Sequence, residues 1–207
     1  NFRIFRSLNI NIIILGKPGS WKGTQSEILS KEIDVYDLST GNFFRYHLKD
    51  ETELGKRISS YMNSPNLIPD KMVNEVVYKE VNDRNFNNIV FDGYPRTIRQ
   101  ADFLEKILDN KIDYLFFLKV LDTTAVNRIT ERQRIDNRTD SNSLEKILGR
   151  IREYKRSTEP VIERYKLQER LTVLDGEKNI DTVAYKLKEI LNSVQEVIRW
   201  IKTASLT

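Results

Sequence analysis

The chain has 207 residues, 39% of them hydrophobic, with no cysteine and a net charge of +4 from 34 basic against 30 acidic side chains. That length suits one α/β domain with a real core and small inserted lobes, while the missing cysteine excludes a disulfide scaffold, a thiolate nucleophile and a cysteine zinc site. No apolar run approaches the roughly 18 residues of a membrane span, and the charge excess is too small to imply nucleic-acid binding by itself.

The opening NFRIFRSLNIN (1–11) is short, basic and mildly apolar, with no signal-peptide core. It reads as a lead-in, or as the stub of a targeting segment. A cytoplasmic protein is expected, or an organellar one if the stub is real. INIIIL (10–15) is a continuous apolar run, as a strand buried on both faces requires. VYDLS (35–39), NIVF (88–91), DYLFFLKV (113–120) and LTVL (171–174) are the next strand-like runs. Helical spacing fills the gaps. Met72, Val73, Val76, Val77 and Val81 share a face, with Pro69 near the first turn. Ile98, Ala101, Leu104 and Leu108 share another, and Leu144, Ile147, Leu148 and Ile151 begin a helix running past Tyr154. Val183, Leu187, Ile190, Leu191, Val194 and Ile198 line a C-terminal helix. The alternation predicts a mostly parallel sheet with helices on both sides. Two stretches interrupt it: 41–83 has only helical pattern, and 134–143 (RIDNRTDSNS) is polar and loop-like.

Three features carry chemistry. GKPGSWKGT (16–24) follows the first strand and precedes a helix, so its backbone N–H groups and the helix N-terminus can cradle a phosphate that Lys22 reaches. The bland alternative is a Gly/Pro turn with a surface lysine. DGYPR (92–96) puts Asp92 at a strand's C-terminal end, where an acid beside a phosphate loop can organise Mg²⁺. Its alternative is an ordinary Asp-Gly turn. Arg128 and Arg132 share a helix face, and Arg45, Arg138 and Arg150 flank the same turns. Guanidinium forks suit phosphate oxygens, whereas any single arginine reads equally as a solvated face.

From Ile10 to Leu191 these residues resemble adenylate kinase, within the nucleoside monophosphate kinases. GKPGSWKGTQ is similar to the family's G-x-P-G-x-G-K-G-T-Q, LSTGNFFR (38–45) to the start of its monophosphate-binding segment, and DGYPRTIRQAD (92–102) to D-G-[FY]-P-R-T-x-x-Q-A. ELGKRISSYMNSPNLIPDKMV (53–73), STEPVIERY and LDGEK continue the match. The resemblance implies a P-loop NTPase-type three-layer α/β fold on a central parallel five-stranded sheet. It divides the chain into an extension (1–9), a kinase-like domain (10–195) and a helix end and tail (196–207). Within the domain the core is 10–40, 84–133 and 144–195, the monophosphate-binding insertion 41–83 and a short lid 134–143.

The same resemblance implies Mg·ATP + AMP ⇌ 2 ADP. Gly16, Pro18, Gly19, Ser20, Trp21, Lys22, Gly23, Thr24, Arg128 and Lys178 would hold ATP, with Arg128 against the adenine. Thr40, Gly41, Arg45, Ile68, Gly93, Arg96 and Gln100 would hold AMP. Lys22, Arg96, Arg132, Arg138 and Arg150 would neutralise the transferring group, and Asp92 would order the Mg²⁺ water shell. Relatives that take UMP or CMP resemble R-N-x-x-N where this chain has Arg96 to Gln100, so AMP is expected. ATP or GTP as donor stays open. A monomer with no nucleic-acid or membrane partner is expected; His47 reads as structural or exposed, and Trp200 as packing or a partner contact.

The chain departs from the family pattern at Trp21, which stands for glycine, and at Asn42 and Asn127, which stand for aspartate. If position 21 needs a positive φ, tryptophan costs on the order of 1–3 kcal/mol. Its indole would turn outward, fold over the loop, or accompany a reshaped loop that binds phosphate poorly. A catalytically weak nucleotide sensor or partner-binding module is the alternative reading.

Overall fold

The protein is described by a computed structural model that covers residues 10–136 and 143–204. The apolar run at the start forms β1 (Asn11–Gly16), buried throughout. Its alternate residues face opposite ways, and both directions are core. Ile13 and Leu15 join one hydrophobic cluster, Ile12 and Ile14 the other. β1 is therefore the centre of the sheet. It pairs in parallel with β3 (Ile89–Asp92) on one side and β4 (Tyr114–Lys119) on the other. β2 (Tyr36–Ser39) and β5 (Leu171–Asp175) are the edges, giving the order β2-β3-β1-β4-β5 with every pair parallel. Edge position explains why Tyr36 and Val173 are exposed although their runs look like strands.

α1 (Lys22–Ile33) and α9 (Ile180–Ala204) cover one face through Leu29, Ile33, Val183, Leu187 and Leu191. α4 (Asp70–Asn82), α5 (Ile98–Ile107) and α8 (Glu159–Leu167) cover the other through Val73, Val77, Val81, Ala101, Leu104, Val161 and Tyr165. The helical stretch between β2 and β3 also holds α2 (Thr40–Lys49) and α3 (Glu53–Met62), with Phe44 and Ile58 rooting them in the cluster of Ile13 and Leu15. α6 (Asp122–Asp136) and α7 (Leu144–Ser157) meet through Ala125, Ile129, Ile147 and Ile151.

Three expectations are corrected. Ile98 heads its helix half-exposed, so the buried stripe starts at Ala101. Leu144 and Leu148 face solvent, leaving Ile147 and Ile151 as the buried pair of their helix. The polar stretch from 134 is not wholly loop: α6 continues through Asp136, and α7 begins after Ser143, whose hydroxyl accepts from the Lys146 N–H. Residues 137–142, Arg138 among them, lie outside the described residues. So do residues 1–9 and the side chains of Val194 and Ile198. Among the described residues no helix is long and apolar enough to cross a membrane.

Candidate active site

β1, β3 and β2 end side by side at the C-terminal edge of the sheet, and each passes a functional turn to the helix that follows. After β1 comes the glycine-rich loop. Gly19 sits at φ +82°, and a side chain there would strike the Ala125 backbone of α6, with its Cβ 2.6 Å from the carbonyl oxygen. Gly16 must be bare for another reason: the buried Ser20 hydroxyl folds against it. The Ser20 amide donates to the Lys17 carbonyl at 3.1 Å, so this amide closes the turn rather than pointing into the cleft.

Trp21 adopts φ +64°, ψ 18°, the left-handed conformation a glycine would take, and its carbonyl accepts the first α1 bond from Gln25 at 3.0 Å. The loop therefore keeps its course into the helix despite the bulky residue. The indole does not turn outward: the Arg128 guanidinium lies 3.5 Å above its ring.

Two clefts open over this edge. The first, the loop cleft, is lined by Pro18, Gly19, Trp21, Lys22, Gly23 and Thr24, with Asp92 below and Arg128 and Arg132 of α6 above. The second, the insertion cleft, is lined by Thr40, Phe44, Tyr61, Met62, Ile68, Gly93 and Gln100, with Tyr154 and Thr158 across it. Pro18, Lys22, Gly41, Arg45, Arg96 and Arg150 line both clefts, so four cationic side chains stand where the two meet. The crowding shows in Lys22. Burial pulls its pKa down to about 8; Asp92 opposes this, while Arg96, Arg150 and Arg132 add to it.

The turn after β3 is held by hydrogen bonds. Gly93 takes φ +73°, its carbonyl accepts from Arg96 Nε at 2.7 Å, and Thr40 Oγ1 donates to the same carbonyl at 3.1 Å. Both ends of the Gln100 amide are engaged: its Oε1 accepts from the Arg96 N–H at 2.7 Å and its Nε2 donates to Asp70 at 2.8 Å. Its amide thus braces the arginine as well as lining the cleft. Thr158 Oγ1 donates to the Arg96 carbonyl at 3.0 Å, tying α8 to the same turn. Asn42 keeps a carbonyl for Arg45, which donates to it at 2.6 Å.

Asp92 accepts from Ser39 Oγ through Oδ2 at 2.8 Å, and its buried Oδ1 has no partner among the described residues. An orphaned carboxylate oxygen in this position fits a water of a hydrated divalent cation.

Gly16, Ser20 and Lys178 are the exceptions among the residues expected to hold ATP: Gly16 lines the insertion cleft instead, Ser20 is buried within the loop, and Lys178 lies on the turn after β5. Lys178 is exposed, within 3.8 Å of Asp175, and does not line the loop cleft. The turn it belongs to does contribute, because the carbonyls of Gly176 and Glu177 accept from Arg128 at 2.8 and 3.4 Å.

Sequence reasoning missed Asp37 and Asp70. Asp37 lines the loop cleft beside Asp92 and accepts from Ser26 Oγ at 2.5 Å. Burial lifts its carboxyl to about 6, with Ser26 opposing and the charges of Asp92 and Glu27 adding. In sequence it is one polar residue of an edge strand. Asp70 reads only as an acid in a helix's first turn, since nothing local announces that it will reach Gln100 and Thr97.

A family model described as adenylate kinase matches residues 14–170. The chain belongs to the adenylate kinase family. As a member it is a nucleoside monophosphate kinase, a phosphotransferase. It is 35% identical to the adenylate kinases of Flavobacterium psychrophilum and Flavobacterium johnsoniae, over 89% of this chain and the whole of each relative. To the adenylate kinase of Nocardia farcinica it is 36% identical, over 84% of this chain and 94% of that protein.

Proposed function

We propose that this chain transfers the terminal phosphoryl group of Mg·ATP to AMP, forming two ADP. The carrying observation is the pair of clefts that share Lys22, Arg45, Arg96 and Arg150. A donor and an acceptor entering from opposite sides would meet only at that junction. Phosphoryl transfer has a loose transition state with charge spread over the oxygens, so alignment, cationic stabilisation and water exclusion do most of the catalysis. ATP would lie on the loop amides with its terminal phosphate at the junction. AMP would lie in the insertion cleft among Thr40, Gly41, Ile68, Gly93 and Gln100, its phosphate facing Arg45 and Arg96. Arg132 and Arg150 approach from α6 and α7, and the expected lid between those helices carries Arg138.

Asp92 would order Mg²⁺ through water, using its unpartnered Oδ1. When bound, Mg²⁺ would supply positive charge against the phosphate oxygens. The chemistry asks for no side-chain general base, and His47 is engaged elsewhere, its Nδ1 2.9 Å from Thr52 Oγ1.

The test is ADP formation from Mg·ATP and AMP in a coupled assay, with GTP as alternative donor and UMP and CMP as alternative acceptors. Turnover on the order of 1–100 s⁻¹ with AMP preferred is the expected result. No ADP at any nucleotide concentration refutes the proposal.

A further inference from the structure

Position 21 is the one place in the loop where the backbone asks for glycine and receives a large aromatic residue. A non-glycine residue held at φ +64° persists when its surroundings over-determine it. The surroundings are visible. The indole carries the Arg128 guanidinium on its face at 3.5 Å. That guanidinium is also fixed at its edge, donating to the carbonyls of Gly176 and Glu177. The turn that supplies those carbonyls is pinned to α6, because the Glu177 carboxylate accepts from the Leu121 N–H at 2.6 Å and from Thr124 Oγ1 at 2.8 Å. Trp21 and Arg128 thus form a flat pair braced by the loop, by α6 and by the turn after β5.

The location of the pair gives it a task. Both residues line the loop cleft and neither lines the insertion cleft. A triphosphate whose terminal group sits at the shared junction must send its ribose and base the other way, along the loop cleft and past this pair. A base has a π face, and an indole and a guanidinium are both suitable plates for one.

We infer that Trp21 is a positioning residue for the nucleobase of the triphosphate: its indole backs the Arg128 guanidinium, and together they form the plate on which the base stacks. This rests on the kinase reading of the same cleft. The tryptophan then contributes to base binding while its backbone still delivers the loop to the phosphates.

The experiment measures, by calorimetry on the full chain, the affinity for ATP and for inorganic tripolyphosphate, which has phosphates but no base. Wild type, Trp21→Leu and Trp21→Phe are compared. Leucine keeps a Cβ and its backbone cost, and removes only the aromatic face. Trp21→Leu is expected to weaken ATP on the order of tenfold, to leave tripolyphosphate within about twofold, and to be largely rescued by phenylalanine. Equal weakening of both ligands would assign Trp21 to loop geometry alone and overturn the inference. So would unchanged or tighter ATP binding, the latter meaning that the indole occupies the base's seat. A wild type that binds ATP with the leucine variant unaffected sinks the plate only; a wild type that binds neither ligand sinks the kinase reading with it.

A second measurement does not depend on the leucine variant folding. With Trp200→Phe, Trp21 is the only tryptophan. ATP should then change its emission and tripolyphosphate should not. Identical responses to both ligands would count against stacking.

Discussion

Replacing Gly19 by alanine tests whether the phosphate loop is braced against α6. Two costs follow from the structure. At φ +82° an L-residue pays for the left-handed conformation, about 1–2 kcal/mol. The new Cβ would also stand 2.6 Å from the Ala125 carbonyl oxygen and 3.0 Å from its Cα. These are backbone atoms in the first turns of a helix, so they cannot rotate aside, and forced overpacking costs about 1–3 kcal/mol. The total is about 3 kcal/mol, which for a chain of this size lowers Tm by about 6–12 °C. ATP affinity should fall too, because the loop must shift to relieve the overlap. Circular-dichroism melts and ATP calorimetry read the two effects. Gly23→Ala is the control. It lies inside α1, and its nearest non-local atom is Asp92 Oδ2 at 3.2 Å, so Tm should hold while Asp92 is disturbed. If Gly19→Ala melts within about 2 °C of wild type and binds ATP normally, the loop is not braced as described.

ATP affinity measured without Mg²⁺ should fall as pH rises through about 8, because Lys22 loses its proton there and with it the charge that attracts phosphate. Asp92→Asn removes the influence that raises this pKa, so the fall should begin at lower pH; a wild-type profile flat to pH 10 contradicts the assignment. Asp37 has a folded pKa raised to about 6, above its value in the unfolded chain, so its ionisation costs stability that is absent in acid and is incurred as pH rises through about 4 to 6. Asp37→Asn should therefore stabilise by roughly 1 kcal/mol at pH 7.5, after allowance for solvent screening, and by much less at pH 4; an equal Tm gain at both pH values would refute this. The buried Glu105 accepts from Arg164 at 2.6 Å and Arg170 at 2.9 Å, joining α5 to α8 and to the segment before β5. Glu105→Ala leaves two neighbouring arginines without their shared carboxylate and should cost about 3 kcal/mol in urea unfolding, whereas a change under about 1 kcal/mol would class the pair as surface ion pairs.

Much of this protein is written in local pattern. The strand β1 is legible because burial on both faces demands an unbroken apolar run. The phosphate loop is legible because its glycines and lysine must follow that strand in a set order. The DGYPR turn is legible for the same reason. Helix faces were less secure: Leu144 and Leu148 share the period of Ile147 and Ile151, yet only the latter pair meets α6. Periodicity names a stripe, and the neighbouring element decides which part of it is covered. The roles of Asp37, Asp70 and Glu177 were not legible, since each acts on residues brought near by a parallel crossover rather than by adjacency in the chain. Sequence by itself determined the strand–loop–helix order, the cationic residues and the family they resemble. Only the tertiary structure decided that Lys22, Arg96 and Arg150 share one junction, and that the indole of Trp21 rests on Arg128. The reason is that contacts between elements far apart in sequence depend on how the sheet is ordered, and no local pattern encodes the distance between two helices.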